Sequence, residues 1–142
     1  MNQKQKLFLQ NKFFEIMNQQ IIQTELAPAP IGPYSQAVKA NGFLFCSGQI
    51  ALHPISGELM IADIETETKQ VMANINALLI EAGVGFSSIV KTSIFLSDMS
   101  LFAKVNEIYG SYFTGNYPAR ETVAVKTLPR NVNVEISVTA VL

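Results

Sequence analysis

The sequence is short of charge, of histidine and of cysteine. Charged residues fill 15% of its 142 positions, against about 25% in an ordinary soluble domain, so it lacks the polar groups to cover its own surface. Hydrophobic residues supply 49%. That imbalance predicts apolar surface buried against copies of the same chain, a homo-oligomer. A single cysteine, Cys46, excludes an intrachain disulfide and fits a reducing compartment. A single histidine, His53, excludes a multi-histidine metal site within one chain and argues against structural zinc. The net charge is −1 and the lysines and arginines are scattered, whereas a nucleic-acid binder shows a basic patch or stripe. No apolar run reaches the length needed to span a bilayer. There is also no glycine-rich phosphate loop, no Cys-x-x-Cys and no evident nucleophile–histidine–acid set.

What is present divides into a polar start and a packed remainder. The first twenty residues are rich in Gln, Asn and Lys and contain no Gly or Pro. Leu9, Phe13 and Ile16 fall at helical spacing, which suits a short amphipathic helix. No long apolar stretch precedes a small-residue cleavage site, so a secretory signal is not expected. Met17 offers an alternative start. Residues 1–22 are assigned to an accessory tail and residues 23–142 to one domain, long enough for a sizeable core. The expected location is cytoplasmic. A mitochondrial one follows only if the tail, which has basic charge but no arginine or serine, is a transit peptide.

Within the domain, residues 31–50 read as two strands joined at Asn41-Gly42, a strong hairpin signal. A turn at 54–57 and a short strand near 59–61 follow. Asp63 suits an N-cap, with Glu65 and Glu67 in the first helical turn and Val71, Ile75, Leu78 and Ala82 as the buried stripe before Gly83. Residues 88–96 read as a central strand and Ser100 as the cap of a second helix ending at Thr114-Gly115. Strands at 122–128 and 131–141 close the chain. The order β-β-β-α-β-α-β-β implies an α+β single domain, a mixed β-sheet packed on two helices.

Few side chains are left for chemistry. His53 beside Pro54 reads as a solvated turn histidine, and Cys46 as a small core hydrophobe. Arg120 follows Tyr117-Pro118-Ala119 at a strand entrance, where a guanidinium can hold a small carboxylate in bidentate fashion. From its position alone it is a surface arginine. Glu135 falls on the polar face of the last strand, alternating with Val134 and Ile136, and periodicity does not make it catalytic.

Five motifs in order alter that balance: IGPYSQA (31–37), SGQI (47–50), VNEIY (105–109), YPAR (117–120) and LPRNVNVEI (128–136). In sequence and spacing they resemble the Rid (YjgF) family of imine deaminases, also labelled L-PSP endoribonuclease-like, over roughly residues 26–142. The resemblance implies a chorismate-mutase-like fold and a homotrimer with sites between subunits. It also implies cofactor-free hydrolysis of 2-imino acids such as 2-iminobutanoate and 2-iminopropanoate. By the same resemblance Arg120 binds the substrate carboxylate and Glu135 positions the attacking water. Tyr34, Ser47 and Asn106 line the pocket, and the backbone N–H of residue 122 serves the carboxylate. For Ser47 a strand-end hydroxyl bonded to backbone is an equal reading, and for Asn106 an ordinary helix-surface amide. Where the family often carries Ser-Cys after the arginine, this chain has Glu121-Thr122, so Glu121 is expected to add negative charge near the anchor. The connection from Phe113 to Pro118 is also shorter than in many relatives. The alternatives are a ribonuclease or translation inhibitor, against which the absent basic patch and histidine pair speak, and a non-catalytic ligand-binding or chaperone-like trimer.

Overall fold

The computed structural model describes residues 1–16 and 19–142. The Asn41-Gly42 hairpin is where expected: Asn41 has φ 49° and Gly42 φ 80°, as a two-residue turn with both centres left-handed requires. It joins β2 (Ala37–Ala40) to β3 (Phe43–Gln49). The first strand differs from the expectation. It is β1 (Gln20–Ile22), which pairs antiparallel with β2 although its residues lie within the segment assigned to the tail. The strand expected near 59–61 reduces to one bridge, Leu52 to Leu59.

Helix α2 (Ile64–Glu81) starts where Asp63 Oδ1 accepts from the Thr66 N–H at 2.7 Å, a cap worth about 1 kcal/mol. It ends in a Schellman turn. Gly83, at φ 84°, donates to Ile80 O, and Val84 donates to Leu79 O. Strand β4 (Ile89–Leu96) follows. Asp98, rather than Ser100, then caps a 3₁₀ turn that leads into α3 (Phe102–Gly110). The last two strands are β5 (Ala119–Ala124) and β6 (Val134–Val141), so β5 begins three residues before its expected start at 122 and contains Arg120. Before all of these comes α1 (Gln3–Ile16), a helix whose residues 3–12 are exposed throughout. The Met17 start, and the burial of the Phe13 and Ile16 side chains, fall outside what is described.

Among the described residues the six strands form one sheet, ordered β1-β2-β3-β6-β4-β5, antiparallel except for β4 with β5. The expected α+β mixed sheet carrying α2 and α3 is the architecture observed, with α1 as a third helix. Alternation assigns the faces. Leu44, Thr92, Ile94, Leu96, Val134, Ile136 and Ala140 are buried under the helices with Val71, Ile75 and Leu78 of α2. The opposite face is uncovered in the single chain, where Phe43 is 39% exposed and Phe45 49%. Both faces of β3 are partly apolar, and one chain covers only one of them.

Candidate active site

Register decides where the candidate side chains point. In the parallel β4–β5 pair Arg120 lies opposite Thr92, and in the antiparallel β4–β6 pair Glu135 lies opposite Phe95. Thr92 belongs to the helix-facing set and Phe95 to the other, so Arg120 and Glu135 leave the sheet on opposite faces. Within one chain the two do not share a site.

On the helix-facing side, the Arg120 guanidinium lies over the rings of Tyr109, at 5.3 Å from the centroid, and Phe102, at 5.7 Å. Its Nη1 donates to Asn106 Oδ1 at 2.7 Å. Asn106 is therefore an orienting partner of Arg120 as well as an exposed helix amide. Tyr109 is itself fixed, its hydroxyl donating to Thr92 Oγ1 at 3.0 Å, and burial raises its pKa while the Thr92 bond and the Arg120 charge oppose the rise. Tyr117, Pro118 and Ser111 complete a concavity of about 700 Å³. Tyr117 also packs on Phe113, at 6.1 Å between centroids, so the short connection from 113 to 118 forms one wall.

Thr122 lies two residues further along the same face of β5. The Val125 N–H donates into the sheet, to Leu96 O at 2.9 Å. Alternation then directs the N–H groups of Arg120, Thr122 and Ala124 to the unpaired edge beside the guanidinium. The Thr122 hydroxyl is the one buried side-chain polar atom without a hydrogen-bond partner among the described residues.

Glu121 behaves otherwise than expected. It projects from the opposite face to Arg120. There its carboxylate is paired with Lys91 Nζ at 2.5 Å and accepts from Ser93 Oγ at 2.9 Å, contacts that hold its pKa below the usual range. It adds no charge to the arginine concavity of its own chain.

The second group gathers around Glu135. Tyr34, Ser47, Gly48, Pro129, Arg130 and Glu135 line a concavity of about 550 Å³. Glu135 has no hydrogen bond or ion pair among the described residues, and burial alone pushes its pKa upward. Tyr34 is half-exposed, its hydroxyl accepting from the Ile31 N–H at 3.3 Å. The Ser47 hydroxyl donates to Ser35 O at 2.6 Å, so it is engaged with backbone at the pocket wall.

Several supporting residues escaped the sequence reading. Gln36 is buried and donates through Nε2 to the carbonyls of Thr24, Ala27 and Pro28, which fixes the segment forming one rim. Glu67 is fully buried and accepts from Asn133 N at 2.6 Å, Asn133 Nδ2 at 2.8 Å and Val134 N at 3.2 Å. That anchor holds the opposite rim, where Arg130 and Asn131 both adopt φ 56°. Gln36 gave no signal. Glu67 did, because it stands four residues before Val71 on the stripe that continues to Ile75.

The two remaining sulfur and imidazole candidates are structural. Burial pushes the Cys46 thiol up to about 12, and the strand alternation turns it into the core. His53 Nδ1 accepts from the N–H groups of Ile55 and Ser56 and so closes the turn at 54–57.

Comparison with known proteins places this geometry in a family. The family model described as endoribonuclease L-PSP matches residues 24–142. A RutC family protein of Synechocystis is 53% identical over 89% of this chain and 98% of its own length. The mouse 2-iminobutanoate/2-iminopropanoate deaminase is 46% identical over 85% of this chain and 90% of its own. Among solved structures, a Rid family protein of Yersinia pestis superposes with a TM-score of 0.86 at 47% identity, covering 88% of this chain and 100% of that one.

Proposed function

This chain belongs to the Rid family, and we propose that it hydrolyses 2-imino acids to 2-oxo acids and ammonia at a site completed by a second copy of itself. The observation that carries the proposal is the division of the site. A carboxylate anchor (Arg120 with Asn106 and the Thr122 N–H) and an unpaired, partly buried carboxyl (Glu135 with Tyr34 and Ser47) lie on opposite faces of one sheet. Neither half hydrolyses an imine alone. The uncovered sheet face, with Phe43, Phe45, Val123 and Val141 each at least 39% exposed, supplies the apolar surface for the assembly. A homotrimer in which each interface joins one subunit's Arg120 half to its neighbour's Glu135 half is the arrangement we infer.

The chemistry needs little more. Arg120 binds the substrate carboxylate through charge-assisted bonds of about 1.5–3 kcal/mol each, and the Thr122 N–H adds a neutral one. This fixes C2 of a substrate such as 2-iminobutanoate or 2-iminopropanoate. Glu135 takes a proton from water, the resulting oxygen nucleophile adds to C2, and the C=N π bond becomes a nitrogen lone pair. Glu135 returns that proton to the nitrogen, giving a carbinolamine; it then takes the hydroxyl proton and passes it to the same nitrogen, so that ammonia leaves as the C–O bond becomes the carbonyl. A carboxyl with a raised pKa suits both directions of transfer, since its acid form is less costly than that of an ordinary glutamate.

The direct test generates 2-aminocrotonate in situ with threonine dehydratase, traps it with semicarbazide and follows its diversion to 2-oxobutanoate. Diversion at micromolar protein supports the reading; its absence ends it. A mixing test addresses the divided site. Arg120→Ala and Glu135→Gln proteins are inactive alone, but random subunit exchange between equal amounts rebuilds an intact interface at about one site in four. Recovery near a quarter of wild-type activity supports a shared site, and none supports a site within one chain. RNA degradation surviving Arg120→Ala, with contaminating nuclease excluded, would instead favour the family's endoribonuclease label.

A further inference from the structure

The chain has eight glycines, and at seven of them an added Cβ meets nothing within 4 Å. Gly48 is the exception. A Cβ there would overlap Glu135 Oε1 and lie 2.9 Å from its Cδ and 3.1 Å from its Cγ. Five of the others have positive φ and are explained by their backbone, but Gly48 is not among them. At position 48 it is the glutamate side chain, not the backbone angle, that an added methyl would displace.

The local backbone explains the close approach. Pairing of β3 with β6 steps from Cys46–Val138 to Gln49–Ile136, so three steps on β3 face two on β6, a bulge at Ser47-Gly48. The bulge sends the Ser47 hydroxyl to Ser35 O and returns Gln49 to the buried side. It also brings the bare Cα of Gly48 against Glu135. No hydrogen bond among the described residues orients that carboxyl, so this packing contact determines where it rests.

We infer that Gly48 is a positioning residue for Glu135: the bulge presents a surface without a Cβ, and the carboxyl lies on it at the depth from which it reaches the attacking water. The inference rests on the reading of Glu135 as the group that handles that water, and it assigns its placement to a neighbour that makes no polar contact with it. A methyl group at position 48 drives the carboxyl outward toward solvent.

The experiment uses Gly48→Ala, Glu135→Asp and the double variant in the full chain. Expected for Gly48→Ala is a fall in kcat of about tenfold or more, as misplacement of a reacting group by an ångström produces, with KM little changed because the Arg120 half is untouched. The Glu135 carboxyl, followed by NMR in ¹³C-glutamate-labelled protein and assigned with Glu135→Gln, should titrate lower and closer to an ordinary glutamate. Tyr34 and Arg130 are the other titratable groups lining that pocket, and both are left in place. Glu135→Asp removes the atoms at Cδ and Oε1 that the added methyl overlaps most, so Gly48→Ala should cost less activity in the Glu135→Asp background than in the wild type. Wild-type kcat with an unmoved titration in Gly48→Ala overturns the inference, as does a double variant whose losses multiply. Should Gly48→Ala fail to fold, a folded double variant still supports it and an unfolded one overturns it. Absence of imine hydrolysis by the wild type ends the functional reading, while the Glu135 titration still decides the placement.

Discussion

Glu67 offers the sharpest test of how the site is built, because its worth can be worked out bond by bond. Its carboxylate accepts from Asn133 N, Asn133 Nδ2 and Val134 N and is fully buried. Glu67→Ala leaves three buried donors unmet, each costing about 1–3 kcal/mol less whatever water enters the space. A net loss of about 3–5 kcal/mol follows. Glu67→Gln differs in kind. Oε1 keeps its two backbone donors, and only the new amide NH₂ conflicts with Asn133 Nδ2. The Asn133 amide can turn over, because its Oδ1 accepts from Ser97 Oγ at 3.1 Å and a hydroxyl serves equally as acceptor. One rearranged bond costs about 1 kcal/mol. In urea, with a slope near 2 kcal/mol/M, the midpoint should fall by about 2 M for alanine and about 0.5 M for glutamine. Both must be compared at one protein concentration, since assembly contributes to apparent stability. A loss under about 1 kcal/mol for alanine, or equal losses for the two variants, would refute the three-bond anchor.

Further outcomes follow from the same geometry. The pKa of Glu135 is raised by burial above the ordinary 4.5, so its charging opposes folding as pH rises through that raised value; Glu135→Gln should therefore be more stable than wild type at pH 7 and equal to it at pH 3 in urea melts, while losing turnover. Asn106→Ala frees the Arg120 guanidinium from its 2.7 Å partner and should raise KM for imine, and Kd for 2-oxobutanoate by calorimetry, by about tenfold. Arg120→Lys, which keeps the charge but not the fork, should lose nearly as much binding as Arg120→Ala. Glu121→Gln should leave 2-oxobutanoate affinity within about twofold of wild type, because Glu121 points away from the anchor with Lys91 and Ser93. A tenfold change there would return Glu121 to the site.

How much of this was legible in the sequence depends on the range of the interaction that fixes each feature. The hairpin at Asn41-Gly42, the Asp63 cap and the Gly83 stop were readable because each is set by a few adjacent residues. β1 was not, since Gln20–Ile22 has no strand signature and exists only by pairing with β2. β5 was placed late because Ala119, Arg120 and Glu121 are poor strand formers that the parallel ladder with β4 overrides. The bulge at Ser47-Gly48 has a mark in the sequence, an isolated glycine within a strand run, but nothing local ties that glycine to Glu135.

The division of the site lies at the far end of that range. Alternation separates Glu135 from Val134 and Ile136, and the family resemblance implies that Glu135 works with Arg120, yet neither says on which side of the sheet each residue falls. That depends on two registers at once, Arg120 opposite Thr92 and Glu135 opposite Phe95. A shift of one residue in either ladder would have put both side chains on one face, and a single chain would then have held the pair. With the registers as they are, the apolar composition and the split site answer the same need. In the assembly proposed above, the surface that one chain leaves uncovered is the surface a second copy occupies to bring an arginine to a glutamate.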